Sequence, residues 1–336
     1  MNAQTAFRPS NGVDSSLDSN SVIHLKQGDA EHVPPPQDCP YDEIERFLIE
    51  AELALSDFPR DVRRRLLNFR NDGNVDGVLL LRGFPRDAHI PPTPLKPNRD
   101  ARRPTYLAEL FMAAVATALG QPVGYAQEKG GRVIQGLYPL PDQAQMQTNA
   151  SSIAFLKFHT EVAFHHHMLA YVVLCGLRQD RERRARTIVS SIRRVLPHLT
   201  LAHRVELFEN QFSTKVDASF GGGEGPTCAV LSGDPADPFL RFDDDFMTAA
   251  TPAGERALNA LRAAINREKR EVTVEPGDIL VIDNNRAVHA RSEFLPHYDG
   301  EDRYLLRLGV VRDLNVSLAE RVLGTRIIAS DSFSDN

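Results

Sequence analysis

Residues 275–289 read Glu275-Pro276-Gly277-Asp278-Ile279-Leu280-Val281-Ile282-Asp283-Asn284-Asn285-Arg286-Ala287-Val288-His289. The Pro-Gly pair marks a turn. The run from Ile279 to Ile282 is short, rich in β-branched residues and apolar throughout, the pattern of a strand covered on both faces. It then runs into a polar segment that ends at His289. Similar runs occur at 132–138, 153–159, 170–177, 271–274 and 303–311, separated by turn residues, and an earlier one stands at 78–81. Helical patterns flank them. Over 41–58 the residues Ile44, Phe47, Leu48, Ala51 and Leu55 share one helix face, and Pro59 follows the end. Further helices are predicted over 60–69, 105–119 and 254–266, with a proline-rich loop over 85–103. Helices first and many antiparallel strands after predict a mainly β fold with flanking helices: a distorted double-stranded β-helix, or jelly roll, with a helical layer on one sheet. Residues 1–38, rich in Ser, Asn, Asp, Gln and Pro, read as a disordered lead-in, and 39–330 as one jelly-roll domain with lid insertions.

The 336 residues are 42% hydrophobic and 25% charged, as in a globular protein with a sizeable core. A net charge of −6 argues against a nucleic-acid partner. No apolar run reaches membrane-spanning length, and the first residues lack the basic and apolar regions of a secretory signal. Cys39, Cys175 and Cys228 form no CxxC pair, so neither a disulfide framework nor a zinc ribbon is expected, and the cytoplasm fits best. Cys175 lies in an apolar strand and reads as core. Assembly into a homo-oligomer is left open.

The segment Phe158-His159-Thr160-Glu161-Val162-Ala163-Phe164-His165 follows an apolar run, so His159 sits at a strand end. Residues two apart on an extended chain face the same way, so His159 and Glu161 can reach one metal. His289 is the best third ligand. Two imidazoles and one carboxylate form the facial triad of non-haem Fe(II) oxygenases, which leaves positions for a chelating co-substrate and O₂. An His-x-Glu pair also arises by chance at strand ends. Arg303 and Arg307 strengthen the case, because they share a face of the run 303–311. An oxygenase using 2-oxoglutarate needs a guanidinium to grip the distal carboxylate bidentately, which Lys does poorly. Either arginine alone could instead be a solvated surface residue.

Three segments in this order, FHTEVAFH (158–165), GDILVIDNNRAVHARSEF (277–294) and DGEDRYLLRL (299–308), resemble the clavaminate synthase-like oxygenases. Within these the chain is most similar to the hydroxylases of free amino acids: asparagine oxygenase, arginine hydroxylases and lysine hydroxylases. The runs 180–197 and 231–245 share the likeness, which extends from about residue 40 to residue 315. The resemblance implies a distorted jelly roll with Fe(II) at its mouth, held by His159, Glu161 and His289. Glu161 stands where the wider superfamily has Asp, as in this subgroup. Arg303 matches the arginine that binds 2-oxoglutarate, and Arg307 a second arginine for the substrate α-carboxylate. Glu128 lies near a position that contacts the α-amino end. Asp243-Asp244-Asp245 matches a loop that closes over the side chain, where acidic residues select cationic substrates. In an extended run Asp243 and Asp245 would face the substrate and Asp244 would point out.

The expected reaction is hydroxylation of an unactivated side-chain carbon of a free basic L-amino acid, with succinate and CO₂ as by-products. L-lysine comes first and L-arginine second. A neutral amino acid such as asparagine stays open but would leave Asp243 and Asp245 without a cationic partner. Rival readings are a non-enzymatic jelly roll that binds a metal or small ligand, and a zinc hydrolase, for which no general base presents itself. His165, His166 and His167 cannot all face one ion and read as structural or pocket-lining. Gly221–Gly225 lacks the Lys-Ser/Thr of a phosphate loop and reads as a lid hinge, and residues 181–186 as a solvated turn.

Overall fold

The computed structural model describes residues 16–97 and 102–329. Two sheets form its centre. The larger runs Val22–His24, Val78–Arg82, Ile279–Asp283, Tyr171–Arg178, Tyr304–Val311, Gln121–Tyr125, Ile327–Ile328, with Ile134–Leu137 also paired to Tyr304–Val311. The smaller runs Arg270–Val272, Thr187–Ser191, Ala287–Arg291, Leu156–His159. Every pairing in the smaller sheet is antiparallel.

Period-2 alternation explains why the central strands read as wholly apolar. Every residue of Ile279–Asp283 is buried. Leu280 and Ile282 enter the layer between the sheets, with Val172, Leu174 and Leu305 from the larger and Val189, Val272 and Ala287 from the smaller. Ile279 and Val281 face the other way, into a cluster with Phe111, Met112 and Val115 of the helix Leu107–Leu119. Burying such a side chain stabilises by about 1.5–3 kcal/mol, so both faces of this strand contribute. The turn Glu275-Pro276-Gly277 lies so close over Gly176 that a Cβ there would sit 2.1 Å from the Glu275 carbonyl oxygen. Only glycine permits that approach.

The smaller sheet is covered too. Ile188, Val288 and Ala290 cluster with Leu258, Leu261 and Ile265 of the helix Pro252–Glu268. Helices therefore flank both sheets, where the sequence predicts a layer on one. The predicted helices are present as Ile44–Leu55, Arg60–Asp72, Leu107–Leu119 and Pro252–Glu268. Among the described residues no helix is long and apolar enough to cross a membrane.

Two expectations are corrected. Of the lead-in read as disordered, residues 1–15 lie outside the described ones, but Val22–His24 is a strand parallel to Val78–Arg82. Buried Asp76 ties it down, accepting from the Asp18 amide at 2.6 Å and from Ser21 Oγ at 2.7 Å, while Ile23, Ala30 and Val33 enter the core. These sparse apolar anchors were masked by polar composition. The second correction concerns His289, which does not end a polar segment. Asn284, Asn285 and Arg286 make a turn, capped by Asp283 Oδ1 accepting from the Asn285 amide at 3.1 Å. The chain then crosses into the smaller sheet, and His289 sits in the middle of the buried strand Ala287–Arg291.

Candidate metal centre and substrate cavity

Leu156–His159 and Ala287–Arg291 are antiparallel neighbours, and His159 is the direct cross-strand partner of His289. Directly opposed residues carry their side chains on one face. The two rings accordingly lie side by side, with centroids 4.3 Å apart. Glu161 follows just past the strand end, its Oε2 3.4 Å from His289 Nε2 and 4.0 Å from His159 Nε2. Each residue offers a ligand atom within 4.8 Å of the others'. Metal bonds of roughly 2 Å could span such a set.

The donors are prepared for an ion. His159 Nδ1 lies 2.8 Å from the Lys157 carbonyl, which can only accept, so Nδ1 carries the proton and Nε2 presents its lone pair. His289 is held neutral, its pKa lowered by burial and by His159 against the pull of Glu161. Burial would raise the Glu161 carboxyl, but Arg307 and the two imidazoles outweigh it and keep the group ionised well below the usual carboxylate range. The Glu161 amide donates to Asn284 Oδ1 at 2.7 Å, and Asn284 Nδ2 donates back to the Glu161 carbonyl at 3.1 Å. The next residue, β-branched Val162, has φ +49°, a conformation that L residues of its type rarely adopt.

Arg307 donates through Nη2 to both oxygens of Glu128, at 2.9 and 3.0 Å, and to Gln135 Oε1 at 2.6 Å. Its Nη1 is paired with Glu161. Burial disfavours its charge, yet Glu128 and Glu161 keep it firmly protonated. Arg303, on the same face of the strand, differs. It is buried, and among the described residues its side chain has no hydrogen bond or ion pair. Burial alone lowers its pKa, to about 10, so it stays charged at neutral pH. Nearby Arg291 gives its guanidinium to Ser151 and Ala154 oxygens, without an ion pair among the described residues. Arg291 is the cross-strand partner of Thr187. Neither guanidinium has an ion pair, and the more distant charges of Asp180 and Glu293 do not offset their burial, so the two call for an anion, because an undercompensated buried charge is costly.

Acids dominate another part of the wall. Asp243 bridges His159 across the backbone, and its Oδ1 accepts from the Asp245 and Phe246 amides, both at 2.9 Å. Burial raises its pKa. Asp245 is paired with Lys157, and Asp244 turns away to Arg262 Nε at 2.9 Å. Asn149 lines the same cavity, with no side-chain hydrogen bond among the described residues.

One cavity of about 590 Å³ is lined by His159, Glu161 and His289, by Arg303 and Arg307, and by Glu128, Asp243 and Asp245. All eight residues singled out in the sequence thus meet at one place. A cavity of about 640 Å³ beside Phe84 and Cys175 contains no such convergence of donors. Sequence reasoning missed Asn284, Arg291, Thr187, Asn149 and Lys157. Arg291, two residues from His289 on a strand, was legible by its shared face. Asn149 and Lys157 gave no comparable signal.

The geometry agrees with known proteins. Residues 49–308 match the family model described as taurine catabolism dioxygenase TauD, TfdA family. Clavaminate synthase 2 of Streptomyces clavuligerus is 35% identical over 288 residues, covering 84% of this chain and 88% of that one. The L-asparagine oxygenase of Streptomyces coelicolor is 39% identical over 277 residues, covering 81% and 82%. A solved asparagine oxygenase, in complex with Fe(II), 2S,3S-3-hydroxyasparagine and succinate, superposes with a TM-score of 0.86 at 34% identity, covering 92% of this chain and 99% of that one. Match length, identity and shared architecture together place the chain in the TauD/TfdA dioxygenase family, among its Fe(II)- and 2-oxoglutarate-dependent amino-acid hydroxylases.

Proposed function

We propose that the two-sheet core is a distorted jelly roll in which His159, Glu161 and His289 hold Fe(II), and that the enzyme hydroxylates a free L-amino acid with a short carboxamide side chain, of the asparagine type. The observation that carries the reading is Arg303: a buried guanidinium without a protein partner, in the cavity that also holds three convergent metal donors. In this reading Arg303 grips the distal carboxylate of 2-oxoglutarate, with Arg291 and Thr187 beside it. Arg307 and Glu128 form the matching pair for a zwitterion, guanidinium toward the α-carboxylate and carboxylate toward the α-ammonium. With the cofactors bound, the metal centre supplies the oxidative chemistry that places one oxygen atom in a C–H bond, leaving succinate and CO₂. The residues bind and orient, and none of them serves as a general base.

The substrate assignment rests on the cavity residues Asp243, Asp245 and Asn149. The acidic loop, read alone, favours L-lysine. Lys157, however, already neutralises Asp245, and two backbone amides occupy one oxygen of Asp243. What is left is one carboxylate acceptor on Asp243 and the carboxamide of Asn149. A substrate amide can donate to the first and accept from the second. A cationic tail can pair with the free oxygen of Asp243, whose charge the two amides do not cancel, but to reach Asp245 it would have to displace Lys157. That side chain is 45% exposed, so its ion pair is worth under about 1 kcal/mol, which keeps L-lysine as the second reading.

The test is a panel of free amino acids incubated with Fe(II), 2-oxoglutarate and O₂, scored by succinate yield and one-oxygen mass gain. Asparagine should react with tight coupling of the two. Reaction of lysine or arginine alone would reverse the substrate choice, and no turnover with any amino acid would defeat the reading.

A further inference from the structure

A second cluster outside that cavity repeats the donor chemistry of the first. The three consecutive histidines do not act as one group. His165 Nδ1 accepts from the His167 amide at 3.0 Å, and its ring meets Tyr125 edge-on at 5.1 Å. His166 and His167 stand on a bend rather than in a strand, so their side chains are not forced to opposite faces. Their ring centroids are 4.0 Å apart. Both reach Glu320, at the end of the 3₁₀ stretch Leu314–Glu320: His166 Nε2 is 2.9 Å from Oε2, and His167 Nε2 is 3.2 Å from Oε1.

Two details point past a plain ion pair. The His167 side chain is only 9% exposed, and its Nε2 is sealed from solvent. Although close to the carboxylate, that nitrogen is not in hydrogen-bonding geometry with any described atom. Ligand atoms from all three residues lie within 4.8 Å of one another. Two imidazoles and a carboxylate are the donor set of zinc sites with three protein ligands and an open fourth position. Glu320 is one-third exposed, so water can complete the sphere.

We propose that His166, His167 and Glu320 hold a second divalent transition-metal ion, zinc being the one their chemistry suits best. The ion fastens the segment after the last long strand onto the bend that follows Glu161. This site shares no residue with the cavity and stands or falls apart from the substrate reading.

The test uses the full chain, stripped with chelator, reloaded with Zn²⁺ alone, desalted, and assayed for zinc per chain alongside its melting temperature. Glu320→Gln and His167→Ala should each hold one zinc fewer than the unaltered protein. The variant His159→Ala/His289→Ala should keep that ion and melt higher with Zn²⁺ than without. Glu320→Gln retaining the unaltered zinc content overturns the proposal, and so does a His159→Ala/His289→Ala variant that folds but holds none. Should that double variant fail to fold by circular dichroism, the comparison of Glu320→Gln with the unaltered protein decides.

Discussion

Asn284 clasps the peptide of Glu161 from both sides, accepting from its amide at 2.7 Å and donating to its carbonyl at 3.1 Å. The same Nδ2 also donates to the Leu169 carbonyl at 2.9 Å, and the residue is fully buried. Asn284 therefore positions the carboxylate through the backbone, next to the strained Val162. Asn284→Ala should weaken Fe(II) binding about 10- to 100-fold, the usual effect of removing an outer support of a ligand. It should also destabilise by about 1–3 kcal/mol through unsatisfied polar groups. Anaerobic Fe(II) titration and urea unfolding measure the two, and unchanged iron affinity in a folded variant would refute the positioning role.

Arg303 carries a different signature. Losing a charge-assisted pair with 2-oxoglutarate worth about 3 kcal/mol should raise the KM for 2-oxoglutarate about 100-fold in Arg303→Ala, with a much smaller effect on the amino-acid KM. Arg303→Lys should recover little, since a single ammonium cannot engage both oxygens. Without cofactors, Arg303→Ala should melt no lower than the unaltered protein, because it removes an uncompensated buried charge. Equal rises in both KM values would place Arg303 elsewhere in the binding scheme.

Lys157 is predicted to set the charge preference. Lys157→Met frees Asp245 while leaving the backbone carbonyl that orients His159. The ratio of kcat/KM for L-lysine to that for L-asparagine should rise by up to about fivefold, matching the roughly 1 kcal/mol that such an exposed ion pair is worth. An unmoved ratio would mean that Asp245 takes no part in recognition.

A pH dependence of stability follows from Asp237. Arg193 donates to its two oxygens, both at 2.7 Å, and Arg286 Nη2 lies 3.2 Å away. Hydrogen bonds from Arg193, then the charge of Arg286, lower its carboxyl to about 2 against the opposing effect of burial. The unfolded value is about 3.9. The folded state therefore holds the proton less tightly, and the stabilisation is full above about pH 4 and lost as pH falls through 2. The gap in urea midpoint between the unaltered protein and Asp237→Asn should be constant from pH 7 to 5 and narrow by pH 3. A gap that widens on acidification would contradict this.

Legibility in the sequence followed periodicity and spacing. Ile279–Ile282 declared its strand because both faces are covered, and His159, Glu161 and His289 stood out because an His-x-Glu pair at a strand end is joined by a distal histidine and by two arginines on one face. The strand Ala287–Arg291 was hidden because Arg286 and Asn285 made the whole run after Ile282 look polar. Val22–His24 was lost in a polar stretch whose few anchors become visible only beside Asp76. Asp243 and Asp245 both line the cavity, but the charge on Lys157 that pairs with Asp245 comes from a neighbouring strand. No linear pattern reports that contact.

The cross-strand pairing of His159 and His289 has an evolutionary and practical corollary. Opposed residues in an antiparallel ladder stand about 4.5–5.5 Å apart by the pitch of the sheet itself, so the spacing of the two imidazoles does not depend on what fills the cavity. Asn149 and Glu128 hang from turns outside that ladder, while Asp243 joins its edge through a single bridge to His159. Retargeting the enzyme to a new amino acid should thus be achievable by exchanging the walls, while the reactive centre stays where the two strands put it.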